Sequence, residues 1–332
     1  MEVTQKCLID LHLHLDGSVS LKSARELAKI SNIAIPESEE ELKKLMQKDE
    51  NCIDLTSYLT KFDLPCKLLQ TKESISQGMY NLCNELKDDG VIYAEIRYAP
   101  QLLTGRGLTQ DEVVAASIDG LKRSKFNGQI ILCAMRFGTS NKKENFETAD
   151  LVKKYLHKGV CALDLAGDEN HYKNPLYKDL FEYARELEIP FTIHAGEADG
   201  YISVDEALEY GASRIGHGVY AKDSKKTLYY LKEHRIPLEV CPTSNIDTNV
   251  FKRVEDMPFK FFKDYGLVVT INSDDQTVSV TTTRKEYQKV ADAFNFNKED
   301  IKAFLMNSVK AAYLDDTNKN KLRNIIEIEF TK

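Results

Sequence analysis

The sequence predicts an α/β protein folded as a (β/α)8 barrel of the TIM type. Eight short apolar runs follow one another along the chain, amphipathic helix candidates separate most of them, and polar residues gather where the runs end. Helices that alternate regularly with buried strands indicate a parallel sheet, and eight such units indicate a closed barrel. The length of 332 residues suits one barrel, so we expect a single domain over residues 1–332.

The predicted strands are rich in aliphatic and β-branched residues, as is typical of strands that are buried on both faces. Helix candidates such as 111–123 and 176–187 lie between them. In chain order the eight runs are Cys7–Leu15, Val91–Ala99, Ile130–Phe137, Val160–Ala166, Pro190–His194, Arg214–His217, Pro237–Cys241 and Leu267–Asn272.

The connection between strands 1 and 2 is too long for one helix. Such an insertion, about residues 18–90, leaves the C-terminal face of the barrel, where active sites of this fold lie, so we expect it to cap a pocket. Further helices are expected after Thr283, at the C-terminus. The helix candidates of the insertion are Leu21–Ile30, Ser38–Gln47, Leu55–Phe62 and Ser74–Leu86.

A histidine pair stands in the first strand, where residues 11–17 read L-H-L-H-L-D-G. His12 and His14 are two residues apart and therefore share one face of the strand with Asp10. Burying two imidazoles and a carboxylate is costly unless something satisfies them. A metal ion would do so, and so would ordinary hydrogen bonds, so the motif alone leaves both readings open.

Other polar residues fall at the same end of the predicted barrel. His194 ends strand 5, His217 ends strand 6, and Asp274 and Asp275 end strand 8. These C-terminal strand ends are where barrel enzymes build their active sites. Three imidazoles and a carboxylate suit zinc or a similar divalent ion, which would keep a position for water and lower its pKa to about 7.

Glu197 follows His194 by three residues and is not needed as a metal ligand. In a closed apolar pocket its carboxyl group would have a raised pKa and could act as a general acid. The alternative is a carboxylate on a solvated loop at a helix N-terminus.

The remaining three histidines fit the site less well. We expect His157 within a helix and His234 before strand 7 at the opposite face, both in surface or structural roles. His171 follows strand 4 in a loop and could border the pocket, although a structural role is favoured there too.

Composition and absent motifs exclude several classes of protein. A net charge of −7 without a dense Lys/Arg run argues against a nucleic-acid partner, and the absence of an apolar run of eighteen residues argues against a membrane span. Seven cysteines without a C-x-x-C pair favour a reducing, cytoplasmic compartment, with Cys241 buried and structural. The P-loop, dinucleotide, H-E-x-x-H, G-x-S-x-G and cytidine-deaminase signatures are also missing.

Eight segments together resemble the adenosine deaminase family of the bacterial type, within the metal-dependent barrel amidohydrolase superfamily. They occur in order between residues 9 and 275, and although each is weak alone, together they are highly specific. The segments are L-H-L-H-L-D-G-S, K-F-D-L-P-C-K-L-L-Q-T, A-E-I-R-Y-A-P-Q-L, A-L-D-L-A-G-D-E, T-I-H-A-G-E, R-I-G-H-G-V, L-E-V-C-P-T-S-N and I-N-S-D-D.

The resemblance implies a zinc-dependent hydrolase of purine salvage. Its reaction would convert adenosine and 2′-deoxyadenosine to inosine and deoxyinosine, with release of ammonia, by attack of a metal-activated water on C6. The implied partner is a small purine nucleoside, and no protein partner is implied. One zinc ion per chain would be held by His12, His14, His194 and Asp274, and His14 would also contact the substrate.

The resemblance also implies roles for five other residues. Glu197 would protonate N1 of the purine, and His217 would position or deprotonate the attacking water. Asp275 would meet N7, the backbone N–H of Gly167 would meet N3, and Asp16 would bind the ribose. Because the adenine ring is a poor electrophile at C6, protonation of N1 would assist the attack.

Four positions depart from the usual pattern of the family. Gln276 stands where proline is usual, Ser273 replaces threonine, Phe137 replaces histidine, and Met257 replaces the histidine of a His-Pro pair. None of them removes a proposed ligand, so they bear on the geometry around the site, on rate and on substrate preference.

Two other functions stay open. The protein could deaminate free adenine or another 6-aminopurine, although relatives that act on adenine typically carry Glu at the position of Asp16. It could also be a non-catalytic barrel that binds purine nucleosides, but the retention of every proposed catalytic and metal-binding residue argues against this.

Overall fold

The computed structural model describes residues 2–52 and 54–331, and its eight parallel strands with intervening helices confirm the predicted α/β barrel fold. Most strand residues are buried, and the strand Val160–Ala166 is buried at every position. Four strands have only three or four residues, and three of these four are shorter than predicted. The strands are β1 Leu8–His14, β2 Val91–Tyr98, β3 Gly128–Met135, β4 Val160–Ala166, β5 Thr192–Ala195, β6 Arg214–His217, β7 Leu238–Val240 and β8 Val269–Ile271.

The strands pair in chain order. Strands β1 to β4 form one parallel sheet and β5 to β8 form a second. Parallel bridges join the sheets at both edges, Leu163 with Phe191 between β4 and β5, and Leu13 with Asp274 between β1 and the residue range after β8. All carboxyl ends of the strands therefore meet at one face.

Strand β3 begins and ends two residues earlier than predicted. Gly128 pairs with Ala94 of β2, and the pairing continues in parallel from there. Phe137 consequently lies after the strand rather than at its end, with 41% of its surface exposed. The expected apolar run extended past the strand because its last residues are still apolar or long-chained.

Helices fill the connections between strands and follow the last one. Several begin at a capping box, such as the helix Gln110–Ser124, where the side chains of Thr109 and Glu112 each accept a hydrogen bond from the other residue's backbone N–H. Within the described residues the helices are α1 Leu21–Ser31, α2 Glu39–Met46, α3 Leu55–Leu59, α4 Asp63–Leu68, α5 Lys72–Asp88, α6 Gln110–Ser124, α7 Lys142–Tyr155, α8 Lys178–Glu186, α9 Tyr201–Tyr210, α10 Lys225–Glu233, α11 Pro242–Asp247, α12 Phe259–Tyr265, α13 Thr283–Phe294, α14 Lys298–Ala311 and α15 Asp316–Thr331.

The segment between β1 and β2 contains α1 to α5. The expected helix over 55–62 is divided into α3 and a 3-10 turn over Thr60–Phe62. Helix α4 follows directly and was not among the predicted helices of the insertion. Pro65 is the third residue of α4, within the first turn, where a missing N–H costs no intrahelical hydrogen bond.

The histidines outside the barrel face are accounted for individually. His157 lies in an exposed turn after α7, with a left-handed φ of 63°, so the expectation that it is helical is wrong. His234 follows α10, and its ring lies 4.1 Å from the ring of Tyr230.

No helix within residues 2–52 and 54–331 combines the length and apolar character needed to cross a membrane.

Candidate active site

Four side chains converge at the carboxyl ends of β1, β5 and β8. The Nε2 atoms of His12 and His14 each lie 3.4 Å from Oδ1 of Asp274. Nε2 of His14 is also 3.3 Å from Nε2 of His194. The four ligand atoms all lie within 4.8 Å of one another, so one ion could contact all of them.

The chemistry of this cluster fits a divalent metal ion. The Nδ1 atom of His12 lies 2.8 Å from Glu239, and that of His194 lies 3.1 Å from Asp164, so each Nδ1–H can donate and leave Nε2 as a ligand. Burial lowers the pKa of His14 and of His194, which favours the neutral imidazole that metals bind. Nε2 of His12 is buried and lacks a hydrogen-bond partner among the described residues, as expected of a ligand atom.

Two site residues hold a left-handed backbone conformation. Asp274 has a φ of 57° and His217 a φ of 58°. Non-glycine residues in this region cost about 1–3 kcal/mol and persist where the surroundings fix them. At Asp274, its N–H donates to the carbonyl of His12, and its carbonyl accepts from the N–H of His14, both at 2.8 Å. The ends of β1 and β8 are therefore held together beside the cluster.

Asp275 is buried next to the four candidate metal ligands, and only one of its two carboxyl oxygens is known to accept a hydrogen bond. The hydroxyl of Tyr58, from α3, donates to its Oδ2 at 3.0 Å, while Oδ1 has no partner among the described residues. Burial, and then the charge of Asp274, raise the pKa of Asp275 well above its usual range. A Cβ at Gly17 would come within 1.9 Å of Oδ1, which explains the glycine of the L-H-L-H-L-D-G motif.

Glu197 and His217 form a buried pair. Their surroundings favour a protonated carboxyl group on Glu197 and a neutral imidazole on His217. Oε2 of Glu197 is 3.6 Å from Nε2 of His217, which is also 3.8 Å from Oδ2 of Asp274. Burial raises the pKa of Glu197 and lowers the pKa of His217, each well beyond its usual range. Glu197 is only 4% exposed, so it is not the solvated loop carboxylate that the sequence left open. The pair offers a proton donor beside a proton acceptor.

A cavity of about 370 Å3 opens above these groups. Helix α3 and the residues after it supply much of its apolar wall, including Leu55, Tyr58 and Phe62. His12 lies beneath the cavity and is fully buried, whereas His171 is outside the lining and pairs with Asp168. The other sequence-predicted site residues all line the cavity, namely His14, Asp16, Gly167, His194, Glu197, His217, Asp274 and Asp275.

The sequence reasoning missed the charged groups beneath the cluster. The guanidinium of Arg97 donates to Asp164 at 2.9 Å and to Glu239 at 2.8 Å, and all three side chains are fully buried. Arg97 thus links the two carboxylates that orient His12 and His194. The sequence did offer a signal for them, because Asp164 and Glu239 are each the one charged residue of their strand and Arg97 shares β2 with a single other charged residue, Glu95.

Substitution His12→Ala is expected to reduce the bound metal from about one ion per chain and to reduce activity in parallel. The reason is that Nε2 of His12 is a candidate ligand atom, buried and without a hydrogen-bond partner in the described part of the chain. Metal analysis of the purified variant measures this directly. His234→Ala is the matched control, since that ring packs on Tyr230 at the end of α10 and should leave metal content unchanged. Full metal content and normal activity in the His12 variant would exclude it as a ligand.

This arrangement, with candidate metal ligands from the ends of β1, β5 and β8 below a pocket at the same face of the barrel, is that of the metal-dependent hydrolases built on α/β barrels. Among these the chain belongs to the adenosine deaminase family, because a sequence model described as "Adenosine deaminase" matches residues 7–328. The family predicted from the eight motifs is therefore confirmed.

One curated relative supports membership of this family, and two solved structures support the fold. The chain is 42% identical to an adenosine deaminase of Haemophilus ducreyi over 329 residues, covering 96% of this chain and 95% of that one. It also resembles the solved adenine deaminase of Arthrobacter aurescens, with a TM-score of 0.88 and 23% identity over 98% of this chain and 99% of that one. An amidohydrolase of Burkholderia ambifaria, solved with bound Zn, has a TM-score of 0.87 and 21% identity over 100% of this chain and 94% of that one. These two structures share the fold.

Proposed function

We propose that the protein hydrolyses adenosine and 2′-deoxyadenosine to inosine and deoxyinosine, with release of ammonia. The observation that carries this proposal is the position of Glu197. It is a buried carboxyl group with a raised pKa, and it lies on the cavity wall beside the proposed metal ligands. Hydrolysis at C6 of a purine requires a proton donor for the ring and an activated water on the same side. The family and the 42% identical adenosine deaminase support the same reaction.

We propose zinc as the ion, bound once per chain by His12, His14, His194 and Asp274. Three neutral imidazoles and one carboxylate are typical of zinc and poorly suited to calcium or magnesium, which prefer oxygen ligands. When bound, the ion supplies Lewis acidity that makes water a nucleophile near neutral pH.

The protein groups around the ring would move the protons. His217, which is neutral because burial lowers its pKa, can accept a proton from the nucleophilic water at Nε2. Glu197 can donate a proton to N1, which draws electrons from C6 and favours the attack. The C6 carbon then becomes tetrahedral. The proton taken up by His217 passes to the amino group, which leaves as ammonia, and the C6 hydroxyl becomes the carbonyl of inosine as its proton replaces the one that Glu197 gave up.

Three further groups would hold the nucleoside. A neutral Asp275 carboxyl can donate to N7, and its unpartnered Oδ1 supports this role. The backbone N–H of Gly167, on the cavity wall, would donate to N3. Asp16 also lines the cavity and would accept from a ribose hydroxyl.

We also infer that residues about 18–90 act as a cap on a single barrel domain. Support comes from α3, whose Leu55 and Tyr58 line the cavity and whose Tyr58 hydroxyl donates to Asp275. An apolar wall over the site reduces its contact with bulk water and so strengthens the electrostatic interactions inside. A cytoplasmic location is proposed as well, since seven cysteines without a C-x-x-C pair favour a reducing compartment.

One assay tests the reaction and ranks the alternatives. The metal-loaded protein is given adenosine, 2′-deoxyadenosine and adenine, and turnover is followed by absorbance and by ammonia release. We expect kcat/KM to be higher for the nucleosides than for adenine. A preference for adenine would favour the second candidate, adenine deamination, which the Arthrobacter structure exemplifies in the same fold. No ammonia from any of the three would contradict the proposed function.

Substitution Asp16→Ala is expected to raise KM for adenosine and to narrow its advantage over adenine. The reason is that a carboxylate on the cavity wall can accept a ribose hydroxyl that adenine lacks. Asp63→Ala, which removes another carboxylate from the same wall, is the matched control and should preserve the ranking. If Asp16→Ala lowers kcat/KM equally for adenosine and adenine, Asp16 does not bind the ribose.

A further inference from the structure

Glu169 is a buried carboxylate that lies outside the assigned roles of the site. It is 1% exposed and belongs to the loop after β4, two residues beyond Gly167. Its Oε1 accepts from the backbone N–H of Gly196 at 2.7 Å and from the hydroxyl of Ser203. Its Oε2 accepts from the next three backbone N–H groups, those of residues 197, 198 and 199, at 3.0, 2.6 and 3.2 Å. Four consecutive N–H groups therefore surround one side chain.

These contacts fix the loop that carries Glu197. Gly196 turns the chain there with a φ of 65°, and a Cβ at this position would come within 2.4 Å of Val204. Residues 196–199 follow β5 directly and precede α9, so their N–H groups have no strand or helix partner of their own. The Glu169 carboxylate supplies that partner, and its charge strengthens each bond.

A network of polar side chains extends from Glu169 to the backbone of His194, one of the proposed metal ligands. Ser203 is also bonded by Asn174, whose Nδ2 donates to its hydroxyl at 2.9 Å. The Oδ1 of Asn174 accepts from Arg136 at 2.7 Å, and the same guanidinium nitrogen donates to the carbonyl of His194 at 2.6 Å. The backbone on both sides of Glu197 is thus held by buried side chains.

We propose that Glu169 is a positioning residue that sets the location of the Glu197 proton donor relative to the β4 loop. This inference rests on the proposed deamination. N1 and N3 belong to the same six-membered ring, so the acid at N1 and the Gly167 N–H at N3 must keep a fixed separation. Glu169 ties the two loops that bear them. A misplacement of about 1 Å can lower a rate by ~10²-fold.

A double-mutant cycle tests the proposal. If Glu169 acts only by positioning the carboxyl group of Glu197, its substitution should have little effect on kcat in a variant that already lacks that carboxyl group. The variants are Glu169→Gln, Glu197→Gln and the double variant, all loaded with zinc. We expect Glu169→Gln alone to lower kcat for adenosine by ~10²-fold with little change in KM. In the Glu197→Gln background the same change should lower kcat by less than about threefold.

A structural role alone would give a different result. Asp89→Asn is the matched control, since Asp89 also accepts a backbone N–H and a hydroxyl, from Arg284 and Thr282, at the start of β2 on the opposite face. It should lower thermal stability without a selective loss of kcat. Equal losses from Glu169→Gln in both backgrounds, or loss of zinc together with activity, would overturn the proposal.

Amide hydrogen exchange gives a readout that does not depend on turnover. We expect faster exchange confined to residues 196–199 in Glu169→Gln, and a smaller effect in Ser203→Ala, which serves if Glu169→Gln does not fold. Unchanged exchange in this segment would overturn the inference even if the enzyme is active. If the unmodified protein releases no ammonia, the proposed function fails instead, and with it the catalytic role of Glu169, whatever the exchange rates are.

Discussion

Substitution Glu197→Gln is expected to lower kcat for adenosine by at least ~10²-fold, because general acid catalysis typically contributes ~10²–10⁴-fold. Glutamine keeps the size and the hydrogen-bonding capacity of the side chain but has no carboxyl proton to give to N1. The loss can exceed this range, since attack at C6 depends on the protonated ring. Steady-state kinetics of the zinc-loaded variant measure the effect.

Three controls separate loss of the acid from loss of the site. The variant should retain its zinc, unfold at the same temperature as the unmodified protein and bind a non-reacting nucleoside analogue with similar affinity. Glu206→Gln, on the following helix α9 and outside the cavity lining, should leave kcat unchanged. Near-normal kcat in a zinc-replete Glu197→Gln protein would exclude Glu197 as the acid. His171, the nearest unassigned histidine, is a weak substitute because its side chain is 67% exposed and pairs with Asp168.

The sequence was sufficient to predict where the site residues lie along the barrel. Alternation of apolar residues located His12 and His14 within a strand, and the ends of later apolar runs located His194, His217 and Asp274. In a parallel barrel these positions are forced to one face, so convergence follows from topology without knowledge of any contact. The family motifs then added roles that position alone does not supply.

Other contacts could not be predicted because they depend on where distant segments meet. Glu169 has no periodic signal, and its role arises only when the loop after β5 wraps around it. Arg97 stands in a motif that was recognised, but its partners belong to β4 and β7. Which charges meet across the interior of a barrel depends on the register and closure of all its strands.

The buried ion pairs of Arg97 also connect the stability of the fold with the orientation of the proposed metal ligands. Burial opposes ionisation of Asp164 and Glu239, yet nearby positive charges hold the pKa of each carboxyl well below its usual range. For Asp164 the lasting charge is that of Arg97, since a neutral His194 contributes only its Nδ1–H, and for Glu239 the charges are mainly those of Arg214 and Arg97. Removal of Arg97 therefore leaves Glu239 with one guanidinium but leaves Asp164 with none.

Substitution Arg97→Met, which keeps much of the volume but removes the charge, is expected to lower the free energy of unfolding by about 3–5 kcal/mol. That is a large share of the ~5–15 kcal/mol available to a typical protein. Because Asp164 orients His194, zinc affinity should also fall by ~10–100-fold. Urea unfolding of the metal-free protein and competition with a chelator measure the two effects separately.

The double variant Arg97→Met with Asp164→Asn tests whether the loss comes from an unpaired buried charge. Removal of the orphan carboxylate should recover part of the unfolding free energy, so the double variant should be more stable than the sum of the single losses predicts. Zinc affinity should stay low, because asparagine orients His194 less firmly than a carboxylate does. Arg253→Met is the matched control, since Arg253 pairs with Asp256 at 2.8 Å on the exposed surface and should change stability little. If Arg97→Met is no more destabilising than Arg253→Met, the buried guanidinium does not hold the two carboxylates, and the orientation of His12 and His194 must come from the strands alone.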